Sequence, residues 1–203
     1  METDTKKTIQ KSGNYSEDAQ KNARKSHWYS DIASTVTKCP FCDLKDKYII
    51  AEEGGVVLTA NLFPYIDGHL MVIPRRHFEK LALCSLDEWE AAHELIGLGI
   101  ETIKKGLGVK DVNVLYREGT PTSGSSLKHL HIHLLPITDE FMVYEDFGCV
   151  YKFQDIEFAP VEMAERLRKV CQDLRDGVGG VGGGKDVGKD GGGIDLNVDG
   201  RKN

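Results

Sequence analysis

Apolar residues along the chain fall into short alternating runs and two longer stretches of helical period. Residues 47–53 and 56–61 read as strands around Gly54-Gly55, a hairpin signal. Residues 68–74, GHLMVIP, form a compact apolar run suited to a buried strand. Ser85-Leu86-Asp87-Glu88 is a capping box of the S-x-x-E type. Behind it Trp89, Ala92, His93, Ile96, Ile100 and Ile103 recur at spacings of three and four, which predicts one amphipathic helix that Gly106 and Gly108 can end. Residues 112–116 and 128–135 read as strands on either side of the loop REGTPTSGSS. Pro160 opens a last helix with Met163, Ala164, Leu167, Val170 and Cys171 on one side. Hairpin-linked strands with one long inserted helix predict an α+β fold whose sheet is mainly antiparallel.

The flanks differ from this body. Half of the 22 glycines fall between Gly177 and Gly200, a run that cannot bury enough apolar surface to offset its ordering entropy. The organisation expected is a polar N-terminal extension over 1–27, one domain over 28–174 and a flexible glycine-rich tail over 175–203. Residues 15–35 are compatible with a short helix.

Composition narrows the functional classes. The 203 residues include 26 Lys and Arg against 32 Asp and Glu, a formal charge of −6. A mildly acidic chain lacks the field that nucleic acid or an anionic membrane would need, so any anionic ligand must be held by local donors. The opening METDTKKTIQK has no apolar signal segment, and no stretch approaches the ~20 apolar residues of a membrane helix. Five scattered cysteines do not form a disulfide framework. A cytoplasmic protein without nucleic-acid or membrane partners is expected.

The segment Leu127-Lys-His-Leu-His-Ile-His-Leu-Leu-Pro136 carries the chemistry. In a strand His129, His131 and His133 share one face, and Leu130, Ile132 and Leu134 point the other way, into the core. Alternate positions stand about 6.6 Å apart along such a strand. The trio could be a solvated polar face or satisfied histidines near the core, a three-imidazole metal site, or a nucleophilic imidazole at His131 with His133 as anion donor. The upstream Gly119, Gly124, Ser125 and Ser126 favour the last, because small residues with free N–H groups can close around a phosphate. A bare metal site would not require that loop.

The block Gly124-Ser-Ser-Leu-Lys-His-Leu-His-Ile-His-Leu-Leu-Pro136 resembles the motif of the histidine-triad (HIT) family. A second block, Asn61-Leu-Phe-Pro-Tyr-Ile-Asp-Gly-His-Leu-Met-Val-Ile-Pro-Arg-Arg-His77, is similar to its other signature segment, nearest the dinucleoside polyphosphate hydrolase and phosphorylase branch. The resemblance implies a HIT-like α+β fold, a nucleotide substrate and usually a homodimer. It implies that His131 attacks the α-phosphorus to form a nucleotidyl-imidazole, which water, phosphate or another acceptor then resolves. His133 and Ser126 would contact non-bridging oxygens with help from the Gly124, Ser125 and Ser126 amides. Asn61 would hold the ribose hydroxyls, with Leu62 beside the base. His69 matches a further family histidine, either structural or a direct participant. Nucleoside phosphoramidase activity and non-catalytic nucleotide binding are the rival functions. Ser125 replaces a common glutamine, and Glu118 stands where a neutral amide is frequent. A carboxylate there would repel a polyphosphate unless protonated or turned away.

Cys39-Pro-Phe-Cys42 alone fits either a redox pair or half of a zinc site, but no βαβ context or second close Cys pair accompanies it. The resemblance implies a structural zinc on Cys39, Cys42, His77 and His129, with all four positions filled by protein. Two further matches are weak. Gly179 to Lys185 mimics a phosphate loop but has Asp186 where Ser or Thr would hold magnesium, and 195–200 mimics the start of a calcium loop. Arg75 and Arg76 are expected to be ordinary surface residues.

Overall fold

A computed structural model describes residues 39–119, 127–145, 148–152 and 154–179. Its elements are β1 (Ile49–Glu53), β2 (Val56–Ala60), β3 (Leu70–Pro74), α1 (Leu86–Leu107), β4 (Asp111–Tyr116), β5 (Ile132–Ile137), β6 (Met142–Glu145), β7 (Gly148–Tyr151) and α2 (Pro160–Gly179). Strands β1 to β5 form one sheet in the order β1-β2-β3-β5-β4, every pairing antiparallel. Gly54 and Gly55 both have positive φ, the backbone a two-residue hairpin needs.

The two sheet faces do different work. Leu58, Leu70, Val72, Ile132 and Leu134 face the helices and join Leu95, Ile103 and Leu167 in the main core. On the other face Val57, Met71 and Ile73 pack with Phe41, Leu44 and Tyr48 from the segment ahead of β1. That second cluster sets the N-terminal loop against the histidine side of the sheet. None of the described helices is long and apolar enough to cross a membrane.

Helix α1 starts as its sequence demands. Ser85 Oγ accepts from Glu88 N–H, and the Glu88 side chain accepts from Ser85 N–H. The Arg76 guanidinium, aided by Ser85, holds the Glu88 carboxyl down to about 2. Gly108, at φ 73°, closes the helix. The buried face is rotated from the predicted stripe. Ala91, Ala92, Leu95, Gly99, Thr102 and Ile103 are buried, whereas Trp89 is 44% exposed and His93 is exposed. Closeness of approach explains the difference. A Cβ on Gly99 would stand 2.5 Å from Leu134 Cδ1 and 2.9 Å from Leu58 Cδ1. The helix presses hardest where its residues are smallest, and a hydrophobic scale does not reward that.

Three boundaries also move. The strand predicted over 128–135 pairs only from Ile132 and runs through Pro136 to Ile137. Its last partner on β3 is Leu70 opposite Leu134, so Pro136 lies past the end of that ladder and pairs only with Val112 on the edge strand β4. Helix α2 continues to Gly179, beyond the predicted domain end at Leu174. The β6–β7 hairpin was not predicted. The short helix over 15–35 and both weak loop matches in the glycine-rich segment lie outside the described residues, save for the helical start at Gly179. Arg75 and Arg76 are surface residues as expected, paired with Glu52 at 2.6 Å and Glu88 at 2.7 Å.

Candidate functional site

The three triad histidines lie on the sheet face opposite the helices and are all buried. Phe41 packs against two of them, its ring centroid 5.8 Å from His129 and 5.1 Å from His131. The His131 and His133 rings meet edge to face at 4.8 Å, closer than the strand repeat alone would put them. Only His133 stands within the laddered strand; His129 and His131 precede it, in a segment tied by Leu130 N–H to Phe78 O at 2.6 Å.

Fixed partners set the proton on each ring. His129 Nε2 lies 2.8 Å from Pro74 O, and a carbonyl can only accept, so the hydrogen is on Nε2 and the Nδ1 lone pair is free. His131 Nδ1 lies 2.6 Å from His129 O, so here Nδ1 carries the hydrogen and Nε2 the lone pair. The proton of His133 is set through His69. Tyr65 N–H donates to His69 Nδ1 at 3.2 Å, so His69 Nε2–H donates to His133 Nδ1 at 2.9 Å. The hydrogen of His133 is then on Nε2. The outcome is an acceptor nitrogen on His131 beside a donor nitrogen on His133.

Burial favours the neutral rings. It pushes the His131 imidazole below its ordinary value against the pull of the His129 carbonyl, and the Arg117 charge adds to it. His133 is pushed down to about 3 by burial, then by His131 and Arg117.

Cys39, Cys42, His77 and His129 converge, with their ligand atoms all within 4.8 Å of one another. Cys39 Sγ is 3.3 Å and Cys42 Sγ 3.5 Å from His129 Nδ1, and Cys42 Sγ is 3.2 Å from His77 Nδ1. Tetrahedral zinc, with bonds of about 2.3 Å to sulfur and 2.0–2.1 Å to nitrogen, separates such S and N ligands by roughly 3.6 Å. The donor set therefore fits zinc in both chemistry and spacing, and Pro74 O supplies the outer hydrogen bond that aims His129 Nδ1 at the thiols.

The HIT-domain family profile matches residues 44–140. Protein HitA of Neisseria gonorrhoeae is 30% identical over 102 residues, which are 48% of this chain and 94% of that protein. The chain belongs to the HIT family. An AP-4-A phosphorylase of Mycobacterium tuberculosis is 34% identical over 107 residues, 51% of this chain. That match spans 53% of the phosphorylase, about half of its length. A hypothetical histidine triad nucleotide-binding protein from Sulfolobus tokodaii shares the HIT fold, with a TM-score of 0.58 and 23% identity over 72% of this chain and all of that one.

Other expected HIT-site residues lie close by. Asn61, buried at the end of β2, turns its Nδ2 to within 3.1 Å of both His69 ring nitrogens while its Oδ1 accepts from Phe63 N–H. Leu62 is buried in the cluster with Phe41 and Tyr48. Gly124, Ser125 and Ser126 lie outside the described residues. Glu118 is turned away: its carboxylate accepts from Tyr116 Oη and from Leu81 N–H, and these bonds hold it ionised below the usual range.

Sequence reasoning missed Phe41, Tyr65 and Arg117. Phe41 sits inside the Cys pair, where no local signal marks its contact with His129 and His131. Tyr65 stacks on His133 at 5.9 Å and 27°. Arg117 could have been found by counting in twos: Leu115 pairs with His133, so Arg117 falls on the same face of the sheet.

Proposed function

We propose that this HIT protein is a nucleotidyl hydrolase or transferase acting on dinucleoside polyphosphates or related nucleotide phosphoanhydrides. His131 Nε2 attacks the α-phosphorus and the bridging P–O bond breaks, its electron pair leaving on the departing phosphate. Water, giving up a proton to solvent, or inorganic phosphate then attacks the same phosphorus, and the P–N pair returns to Nε2. The observation that carries this reading is the His131 Nδ1–H bond to His129 O, which leaves Nε2 unprotonated without a separate base. Beside it His133 Nε2–H is oriented to donate to a non-bridging oxygen, an electrostatic contribution that grows as charge develops. Ser126 and the amides of Gly124 and Ser125 complete the oxyanion donors, and Asn61, Leu62 and His69 bind or support the nucleoside end. The likeness to an AP-4-A phosphorylase supports the same substrate class.

Zinc on Cys39, Cys42, His77 and His129 is structural in this reading, since four protein donors fill a tetrahedron and leave no site for water. It ties the N-terminal loop to the strand that presents His131. We further infer a cytoplasmic homodimer. Among the described residues strand β4 is an open edge of the sheet, and its Val114 is 47% exposed; light scattering coupled to gel filtration reads the mass.

Rapid quenching with labelled diadenosine tetraphosphate, followed by mass spectrometry, tests the mechanism. An adduct one AMP heavier, absent from His131→Ala, is expected. A wild-type protein that turns over substrate without that adduct under single-turnover conditions, or a fully active His131→Ala, would overturn it.

A further inference from the structure

The β4–β5 ladder ends at Tyr116 opposite Ile132. Continued by one residue, the same register sets Arg117 across from His131. Directly opposed residues of an antiparallel pair project to one face with their Cβ atoms about 5 Å apart. The guanidinium is thus brought to the nucleophile's side of the sheet. Its hydrogen-bond partner is a neutral phenol: Arg117 Nη1 donates to Tyr65 Oη at 3.3 Å, and Tyr65 in turn stacks on His133.

No carboxylate among the described residues pairs with Arg117. The nearest acid in sequence, Glu118, points elsewhere and is occupied by Tyr116 Oη and Leu81 N–H. Arg75 and Arg76, by contrast, each hold a glutamate. A half-buried guanidinium with no carboxylate partner among the described residues, on the face that carries His131 and His133, is an anion site of the fork type.

We propose that Arg117 is the specificity-determining contact for the departing phosphate, selecting phosphoanhydride substrates whose leaving group carries away negative charge over phosphoramidates whose leaving group is an amine. This deepens the proposed function and rests on it. As the bridging P–O bond breaks, its electron pair settles on a phosphate oxygen, and Arg117 N–H groups hydrogen-bond that oxygen with no proton transferred. An amine leaving group needs a proton instead. Guanidinium does not give one up at any working pH, so the same contact does nothing for it.

The test compares diadenosine tetraphosphate with adenosine phosphoramidate in the full chain, for wild type, Arg117→Gln and Arg117→Lys. In Arg117→Gln, kcat/KM for the tetraphosphate should fall at least tenfold more than for the phosphoramidate, and Arg117→Lys should recover part of that difference. Equal falls on both substrates, or no change on either, would overturn the assignment. Equilibrium binding of inorganic tripolyphosphate reads the charge without chemistry and should weaken at least tenfold in Arg117→Gln. Unchanged binding, or none to wild type, also overturns it. A wild-type protein that cleaves neither nucleotide would instead sink the catalytic reading, while the tripolyphosphate result still decides the role of Arg117.

Discussion

His69 Nε2 and His133 Nδ1 stand 2.9 Å apart, joining β5 to the segment that leads into β3, and this one hydrogen bond decides which nitrogen of His133 faces a ligand. The backbone N–H of Tyr65 fixes the direction of the bond, because it can only donate. A backbone group thus sets the polarity of the site through two rings.

Breaking that relay should reach catalysis through His133. With His69→Ala, Nδ1 of His133 loses its donor and the ring can adopt the opposite tautomer. Steady-state kinetics should show kcat reduced roughly a hundredfold with a smaller change in KM. A variant altered in KM alone would place His69 in ground-state binding.

Burial of His133 should make the fold acid-sensitive. Its folded value of about 3 lies below the ordinary ~6.5, so the unfolded chain takes up the proton more readily. The associated stability is complete above pH 6.5 and is lost as pH falls from there towards 3. At pH 4.5 the loss is on the order of 3 kcal/mol. Urea unfolding of wild type and His133→Gln across this range, each at the same zinc load, should show a shallower pH slope in the variant. Parallel slopes would contradict the assignment.

Zinc should be needed for the fold before it is needed for the reaction. Burial, followed by the neighbouring Cys39, pushes the Cys42 thiol up to about 11 without metal, so zinc must displace its proton at neutral pH. Zinc affinity should therefore rise with pH between 6 and 8. Cys42→Ser should lose the metal, read by elemental analysis, and melt roughly 10 °C or more below wild type. A metal-free variant with the wild-type melting curve would leave the cluster without a structural role.

Packing behind the histidine strand should depend on Gly99. Its missing Cβ lets α1 approach Leu58 and Leu134, and Leu134 is the neighbour of His133 on the opposite face. Gly99→Val should cost about 2–3 kcal/mol in denaturant unfolding through overpacking. A neutral result would show that the helix can lift off freely.

Much of this was legible in the chain itself. Gly54-Gly55 dictated a hairpin and Ser85 to Glu88 a helix start, since turns and caps depend on residues within four positions. Alternation set His129, His131 and His133 on one face, and the Cys pair, His77 and His129 could be matched from the motif blocks. Other features depend on residues far apart in sequence. Which face of α1 is buried was decided by how near Gly99 comes to the sheet. Which ring nitrogen carries the proton of His129 and of His133 was decided by Pro74 O and by His69, 55 and 64 positions away. Where the Glu118 carboxylate turns and which face Arg117 shares were decided by Leu81 and by the β4–β5 register. Local rules specify which side chains are available and which way they alternate. Only long-range packing fixes the distances, a few ångströms either way, that set the proton on each imidazole and bring Cys39, Cys42, His77 and His129 together.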